Sequence, residues 1–439
     1  MVTQIPIEQI TLEHIRQVCA DGDSEGPELE LKRDLPAKND RRDPWHDGCK
    51  AIGEYARNEI AKEIVAFANS YGGTVLLGIE ETKDKPNRAK AIASIPEVHE
   101  LARRLRQSIY DVVDPPLPVL EAAGVVTETD GNSGVVVLRV PTSRRRPHRS
   151  NVNKEVYIRR ADESAAIDMR HIQELTIQAM AEARRVEDDI RDGRELFRNA
   201  LETWLGYDQL HEPNDNGVVI RTVPKAGSAI QFLGIPTAPL DLGRIAGQSE
   251  LYPRFPSLKA TIGTNEYNPG WPFSLHDGDW KPMLRAIFAE QSDYPPYRRY
   301  ELRSDGRCEL RFFQKANGDE RGFFIEWLIA AFAGMLFWIE RIRRFAGTPA
   351  VEFALACQMI IEREPAVLGL YGSRHFREGR GAKFPVGAVH FPLYSVANSD
   401  EFEMLLQQFD EDIWNHAGRD IQISPPMFDL SSFRNGLSV

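Results

Sequence analysis

The stretch that most limits what this chain can fold into is Glu59-Ile-Ala-Lys-Glu-Ile-Val-Ala-Phe-Ala-Asn69-Ser-Tyr-Gly72-Gly73-Thr-Val-Leu-Leu-Gly78-Ile-Glu80-Glu81. Ile60, Ile64, Phe67 and Ala68 recur at the spacing that puts them on one face of a helix. Gly72-Gly73 ends that helix, because glycine takes the left-handed C-cap conformation without a Cβ clash. Thr74 to Ile79 is a short apolar run of the kind that makes a buried strand.

A second stretch lies upstream: Glu25-Gly-Pro-Glu28-Leu-Glu30-Leu-Lys32. Leu29 and Leu31 alternate with Glu28, Glu30 and Lys32. A period of two places both leucines on one face of a strand and the three charges on the other. Glu25 falls in the turn just before it.

Taken together, Glu-x4-Glu-x-Lys and then Ala-Phe-Ala-Asn-Ser-x-Gly-Gly-Thr-x-x-x-Gly-Ile followed by two acids resemble the Schlafen/AlbA-type domain family, formerly labelled a divergent AAA ATPase. Val140-Pro-Thr-Ser143, Arg146-Pro-His148 and Tyr157-Ile-Arg-Arg160 resemble that family's closing strands. The resemblance runs over roughly residues 20 to 180 and implies a mixed sheet with helices. Some relatives are metal-dependent ribonucleases. Carried over by position, the resemblance makes Glu25, Glu30 and Glu81 the ligands of Mg²⁺ or Mn²⁺, with Lys32 beside them. Glu81 is favoured over Glu80 by register, and since neighbouring strand residues face opposite ways, only one of the two serves. Carboxylates holding such an ion neutralise a phosphodiester and activate its nucleophile, and a lysine stabilises the charge that develops. Two departures stand out: Gly26 replaces the more usual Ser or Thr, and the third acid is Glu rather than Asp.

Asn69, Gly72, Gly73 and Gly78 form the structural motif. They also admit reading as a phosphate cradle, the basis of an ATP-binding alternative. However, no Gly-x4-Gly-Lys-Ser/Thr occurs in the chain, and turn and packing chemistry accounts for the same residues.

The net charge of −11 does not describe a general nucleic-acid coat. Charge is local, however: between Arg139 and Arg160 eight basic residues face the single acid Glu155. Such a patch can track phosphates whatever the global charge. Arg144, Arg145, Arg146, His148, Arg149, Lys154, Arg159 and Arg160 are its candidate nucleic-acid-binding residues, holding the backbone without reading sequence. A solvated basic loop is the competing reading.

Along the chain, residues 1 to 20 read as a short helical lead-in. Residues 36 to 58 form a long polar connection, either a mobile flap near the acids or a tolerated surface insertion. A helix follows from Pro96 to about Val113. Two strands come next, Leu117 to Val126 and Gly134 to Val140, turning at Asp130-Gly131-Asn132. A basic loop then leads to a strand over 155 to 160, and a helix over about 168 to 204 closes the domain. The expected division is 1–180 as the Schlafen/AlbA-like domain, 181–204 as a helical connector and 205–439 as a second α+β domain of unrecognised type. The fold class is therefore α+β.

In the second half, Val218 to Val223, Tyr300 to Ser304, Cys308 to Gln314 and Gly387 to Val396 read as strands, and Phe323 to Arg344 and Ser399 to Asn415 as helices. Val351 to Ile361 fits either by periodicity. Gly372 to Lys383 is a basic, glycine-rich loop, either phosphate-binding or merely exposed. His276 and His390 carry no assigned role. The longest apolar run, Trp327 to Ile339, falls short of the roughly 20 residues a membrane span needs. Pro6 and Glu8 break the apolar character of a signal peptide. The four cysteines lack CxxC spacing. A cytoplasmic protein with no membrane partner is expected.

Taken with the resemblance, these features point to a metal-dependent endoribonuclease acting on structured RNA such as tRNA, or on DNA. By analogy it is a defence effector with a C-terminal sensing or specificity domain. A homodimer is open. A nucleic-acid-binding regulator without chemistry is the alternative.

Overall fold

The computed structural model describes residues 2–38, 42–48, 51–83, 85–127, 131–214, 217–253, 260–262, 265–267, 273, 280–291, 297–315, 322–348, 351–369 and 382–418. His276, Asp130 and positions 372–381 of the glycine-rich loop lie outside the described residues. The chain divides into two compact units, one of residues 1–185 with 347–352, the other of 186–346 with 353–439.

The first unit holds α1 (Leu12–Asp21), β1 (Leu29–Lys32), α2 (Glu54–Ala68), β2 (Gly73–Leu77), β3 (Ile79–Glu81), β4 (Ala89–Ile92), α3 (Val98–Tyr110), β5 (Val113–Asp114), β6 (Glu121–Val126), β7 (Gly134–Val140), β8 (Arg149–Ser150), β9 (Tyr157–Arg160) and β10 (Glu163–Ala166). Its central sheet runs β1-β2-β7-β6. β1 and β2 are parallel, with Glu30 opposite Val75, and the other pairs are antiparallel. Helix α2 makes the crossover that a parallel pair requires.

Alternation along the strands divides the core into two layers. Val75, Leu77, Val136 and Leu138 pack under α2 and α3. Leu29, Leu31, Leu76, Val135 and Val137 pack against Ile15 and Val18 of α1 and against Val2 and Ile10. Glu30 and Lys32 therefore lie on the α2 side of the sheet, opposite the leucines.

The helix-to-strand turn is fixed by contact as much as by backbone freedom. Gly72 adopts φ 77°, and a Cβ there would meet the Thr142 backbone nitrogen at 2.9 Å; a Cβ on Gly73 would strike the Phe67 ring. Asn69 is buried. Its Nδ2 donates to the carbonyls of His148 and Tyr157 at 2.8 Å, and its Oδ1 accepts from the His148 backbone N–H at 2.7 Å. One amide thus staples the end of α2 to β9 and to the segment leading into β8. The structural motif of the sequence is engaged here in turn and packing chemistry.

Several sequence boundaries shift for local reasons. The lead-in is two single turns followed by α1. The connection before α2 is pinned to the core: Trp45 is buried and its Nε1 donates to the Pro96 carbonyl at 2.8 Å, while α2 begins at Glu54. The strand expected from Leu117 starts only at Glu121, after Pro118, which has no N–H to give a ladder.

Helix α4 (Met169–Leu205) has its first part in one unit and its remainder in the other. The second unit is built on an eight-stranded sheet. Its main path runs Trp280–Met283, Ala286–Gln291, Tyr297–Arg303, Cys308–Lys315, Gly227–Pro236, Phe353–Glu362 and Gly387–His390, with Tyr394–Val396 also paired to Phe353–Glu362. All its pairs are antiparallel. Leu233, Ile235, Ala354 and Ala356 meet Val186 and Ile190 of α4, and Ala229, Phe313 and Ile360 meet Phe197 and Leu201. On the opposite face, Phe232 packs on Phe332 of α5 (Ile325–Phe345) and on Phe409 of the helix Phe402–His416. Val351 to Ile361 is resolved as strand Phe353–Glu362, and the expected strand Gly387 to Val396 breaks in two around Pro392. The apolar run from Trp327 lies within α5, and no helix among the described residues is long and apolar enough to cross a membrane.

Asn69→Ala removes three hydrogen bonds and leaves buried backbone groups unpaired. It is expected to cost roughly 2–4 kcal/mol, read as a lower denaturation midpoint in urea.

Candidate functional site

Strand β1 delivers Glu30 and Lys32 to the α2 side of the sheet, where both are surrounded by charge. The Lys32 ammonium is hydrogen-bonded to Glu30 Oε1. Arg159 of β9 reaches Glu30 Oε2 at 2.6 Å through Nη2, and Glu63 of α2 at 3.0 Å through Nη1. Its Nε donates to the Gly26 carbonyl at 3.0 Å and Nη2 to the Leu29 carbonyl at 3.3 Å, and the guanidinium lies 4.9 Å from the Phe67 ring centre. Ser164 donates to Glu63. Burial and the neighbouring Glu30 charge raise the Glu63 pKa, against the pull of Ser164, Lys32 and Arg159. Burial opposes charge on Lys32, but Glu30, Glu63 and Glu25 overcome it and hold its pKa above the ordinary value.

Glu25 precedes β1 and turns back over it. Its Oε1 accepts from the Leu31 N–H at 3.1 Å and its Oε2 from Asn87 Nδ2 at 2.8 Å. The same Asn87 nitrogen donates to Glu81 Oε2 at 3.2 Å. Two carboxylate oxygens therefore converge on one nitrogen. A bulge between Glu80 and Glu81 sets this up, where β3 pairs with β4. Glu80 faces away and pairs with Lys90 at 3.0 Å. Burial, then the charges of Glu30 and Glu81, push the Glu25 pKa up to about 7, the Leu31 N–H and Lys32 opposing. No cation bonds directly to Glu25 among the described residues.

The site is thus a row: Glu63 and Arg159, then Glu30 and Lys32, then Glu25, Asn87 and Glu81. Glu63, Asn87 and the inward role of Arg159 escape a reading by sequence. Glu63 left one signal, a charge on the apolar stripe between Ile60 and Phe67. Asn87 left none.

The basic stretch is largely turned to structural use. Arg139 is buried and donates to the carbonyls of Ile5 and Val2 at 2.7 and 2.9 Å. Arg144 pairs with Glu352 at 3.0 Å, Arg146 with Glu182 at 2.6 Å and Arg149 with Asp114 at 2.7 Å. His148 is fully buried against the Pro115 carbonyl, and burial lowers its pKa. Arg145, Lys154 and Arg160 are exposed, and no ion pair joins them to an acid among the described residues. These three are the outward cations of the stretch.

Among the described residues no three His, Cys, Asp or Glu side chains stand close enough to hold a metal ion by themselves. Magnesium commonly takes only one or two carboxylates from a protein and completes its shell with water and substrate phosphate. The oxygens of Glu25 and Glu81 that meet at Asn87, with no cation bonded directly to either among the described residues, fit that requirement. Glu30 fits it less well, since both its oxygens already serve Lys32 and Arg159.

A parallel β1–α2–β2 unit closed by antiparallel strands, with acids and a lysine gathered at its first strand, defines the class. Residues 25–168 match the family model described as Schlafen, AlbA_2, and the N-terminal domain belongs to that family. No curated protein matches the chain. Among solved structures, the DIP2311 protein from Corynebacterium diphtheriae is similar at 21% identity and a TM-score of 0.26, over 37% of this chain and 27% of that one. The N-terminal domain of a RecG-related protein from Nitrosomonas europaea is similar at 16% identity and a TM-score of 0.20, over 30% of this chain and 74% of that one.

The raised Glu25 pKa has a defined consequence for stability. The folded state keeps this proton to higher pH than the unfolded chain does, so it binds more protons between about 4.5 and about 7. Stability therefore falls as pH rises through that window. Glu25→Gln is expected to flatten this part of the profile in thermal unfolding, whereas an unchanged slope would show that Glu25 titrates normally.

Proposed function

We propose that the N-terminal unit is a metal-dependent nuclease domain, with Glu25 and Glu81 as the carboxylates that hold Mg²⁺ or Mn²⁺. The observation that carries this reading is the convergence of their oxygens on Asn87, beside a lysine and a third acid. An ion there would neutralise a phosphate and lower the pKa of a bound water. For an ion to be held there, the Asn87 amide would have to turn away from the two oxygens it now donates to. Lys32, half-exposed and held by Glu30, presents its ammonium where a phosphate oxygen gathers charge. Glu30 positions that lysine. Arg145, Lys154 and Arg160 hold the backbone of the nucleic acid without reading bases. Structured RNA such as tRNA is the first substrate to test and DNA the second.

The saturation of Glu30 by Lys32 and Arg159 favours a second reading, a nucleic-acid-binding domain that performs no chemistry. The two separate in one experiment, in which labelled total tRNA is incubated with the purified protein and Mg²⁺ or Mn²⁺, with EDTA and Glu25→Gln as controls. The nuclease reading expects metal-dependent fragments that fall at least about a hundredfold in the variant, the scale at which an electrostatic contact to the transition state acts. Retarded but intact RNA from both proteins would move the assignment to binding alone.

A further inference from the structure

The central sheet of the first unit treats its two edges differently. At β1 the edge is covered: Glu25 Oε1 accepts from the Leu31 N–H at 3.1 Å, and the Gly26 N–H donates to the Leu29 carbonyl at 3.0 Å. At the other side β6 is the last strand. Its partner β7 fixes which of its backbone groups face outward. The Gly134 N–H donates to the Ile95 carbonyl at 2.9 Å, and the Gly134 carbonyl accepts from the Ile95 N–H at 2.8 Å. Val126, opposite Gly134, is therefore not bonded to it, whereas the next residue, Thr127, donates its N–H to the Ser133 carbonyl at 3.0 Å. Bonded and non-bonded pairs alternate along an antiparallel ladder. Ala122, Gly124 and Val126 thus turn their N–H and carbonyl groups outward, while Ala123 and Val125 bond to β7. All three outward residues are partly exposed, and no further backbone hydrogen bond reaches them among the described residues.

An open edge is a template for another strand, and proteins commonly guard one with lysine, proline or a bulge. β6 reads Glu-Ala-Ala-Gly-Val-Val and pairs with β7 without a shift of register, so it carries none of the three. Its one charge, Glu121, lies 4.0 Å from Arg139 of β7.

The outward groups are spaced evenly about Gly124. When β6 meets a second β6 antiparallel about a two-fold axis at Gly124, Gly124 faces its own copy and Ala122 faces Val126. Each such pair exchanges N–H···O=C bonds in both directions. Between them Ala123 meets Val125, and Glu121 falls opposite Thr127 instead of its own copy, so no like charges oppose each other. A slip of one residue would set outward groups against inward ones.

We propose that β6 is a dimerisation edge, pairing with β6 of a second copy of this chain about Gly124 and joining the two four-stranded sheets into one. The strand complements itself in donors, acceptors and charge, and this selects a second copy over a foreign strand. The small side chains of Ala122 and Ala123 leave the approach of the backbones clear. The pairing lies within the first unit and does not depend on the nuclease reading.

The test is sedimentation equilibrium of the full chain over a range of concentrations. Gly124 is left untouched, because a Cβ there would come within 2.8 Å of the Val98 backbone of α3. Ala122→Pro removes an outward N–H and no bond to β7, a change that an edge strand tolerates. Ala123→Lys keeps every backbone group and sets its ammonium against that of the second copy. Wild type is expected to dimerise, and each variant to raise the dimer dissociation constant at least about tenfold, with circular dichroism confirming both folds. Hydrogen exchange resolved by residue should slow at Ala122, Gly124 and Val126 as concentration rises and stay constant at Ala123 and Val125. A wild-type chain that is monomeric throughout, or a dimer that both variants leave intact, would overturn the proposal. Protection of the outward amides in the monomer would overturn it too, giving the edge to a segment of the same chain.

Discussion

The N-terminal unit depends on a single buried guanidinium. Arg159 is 5% exposed and contacts two carboxylates, two backbone carbonyls and an aromatic face. It joins β9 to β1 and to α2, three pieces of chain that nothing local would bring together. A buried charge is tolerable only when paired and hydrogen-bonded, and here pairing and fold are one requirement. The pairing also sets the electrostatics of everything beyond it. Arg159 and Lys32 divide the oxygens of Glu30 between them, and among the described residues no cation bonds directly to Glu25. That carboxyl is pushed up to about 7 and shares Asn87 with Glu81. One end of the row is internally neutral and structural; the other is left wanting positive charge.

The parts of this arrangement that sequence displays are those governed by short-range rules. Alternation put Leu29 and Leu31 on one side of β1 and Glu30 and Lys32 on the other. The stripe from Ile60 to Ala68 and the paired glycines set α2 and its turn into β2. What sequence hides is where a long side chain finds its partner. The arginines between 139 and 160 read as one basic patch, yet Arg139 binds carbonyls near the N-terminus, Arg146 binds Glu182 and Arg159 binds Glu30 and Glu63. Those partners lie tens of residues away, beyond any local period. Asn87 is equally invisible, since only the β3–β4 hairpin carries it back to Glu25.

The second unit shows the same division. Tyr300 to Ser304 and Cys308 to Gln314 read as strands from sequence, but Gly227–Pro236, the strand between Cys308–Lys315 and Phe353–Glu362, did not: it is buried along its whole length and shows no alternation. The polar row across this sheet is hidden as well, because Gln231, Gln358 and His390 are isolated in sequence and meet only through strand register. Polar groups under a helix must satisfy one another, and Gly193 gives the row its close approach to α4.

The most direct test of the central claim is Mn²⁺ binding followed by electron paramagnetic resonance of the full chain, without nucleic acid. The account predicts that wild-type protein takes up the ion, that Glu25→Gln and Glu81→Gln each weaken binding strongly, and that Lys32→Ala, which leaves both carboxylates in place, retains it. Equal Mn²⁺ affinity in wild type, Glu25→Gln and Glu81→Gln would contradict it, leaving the acids as part of the packing that Arg159 organises.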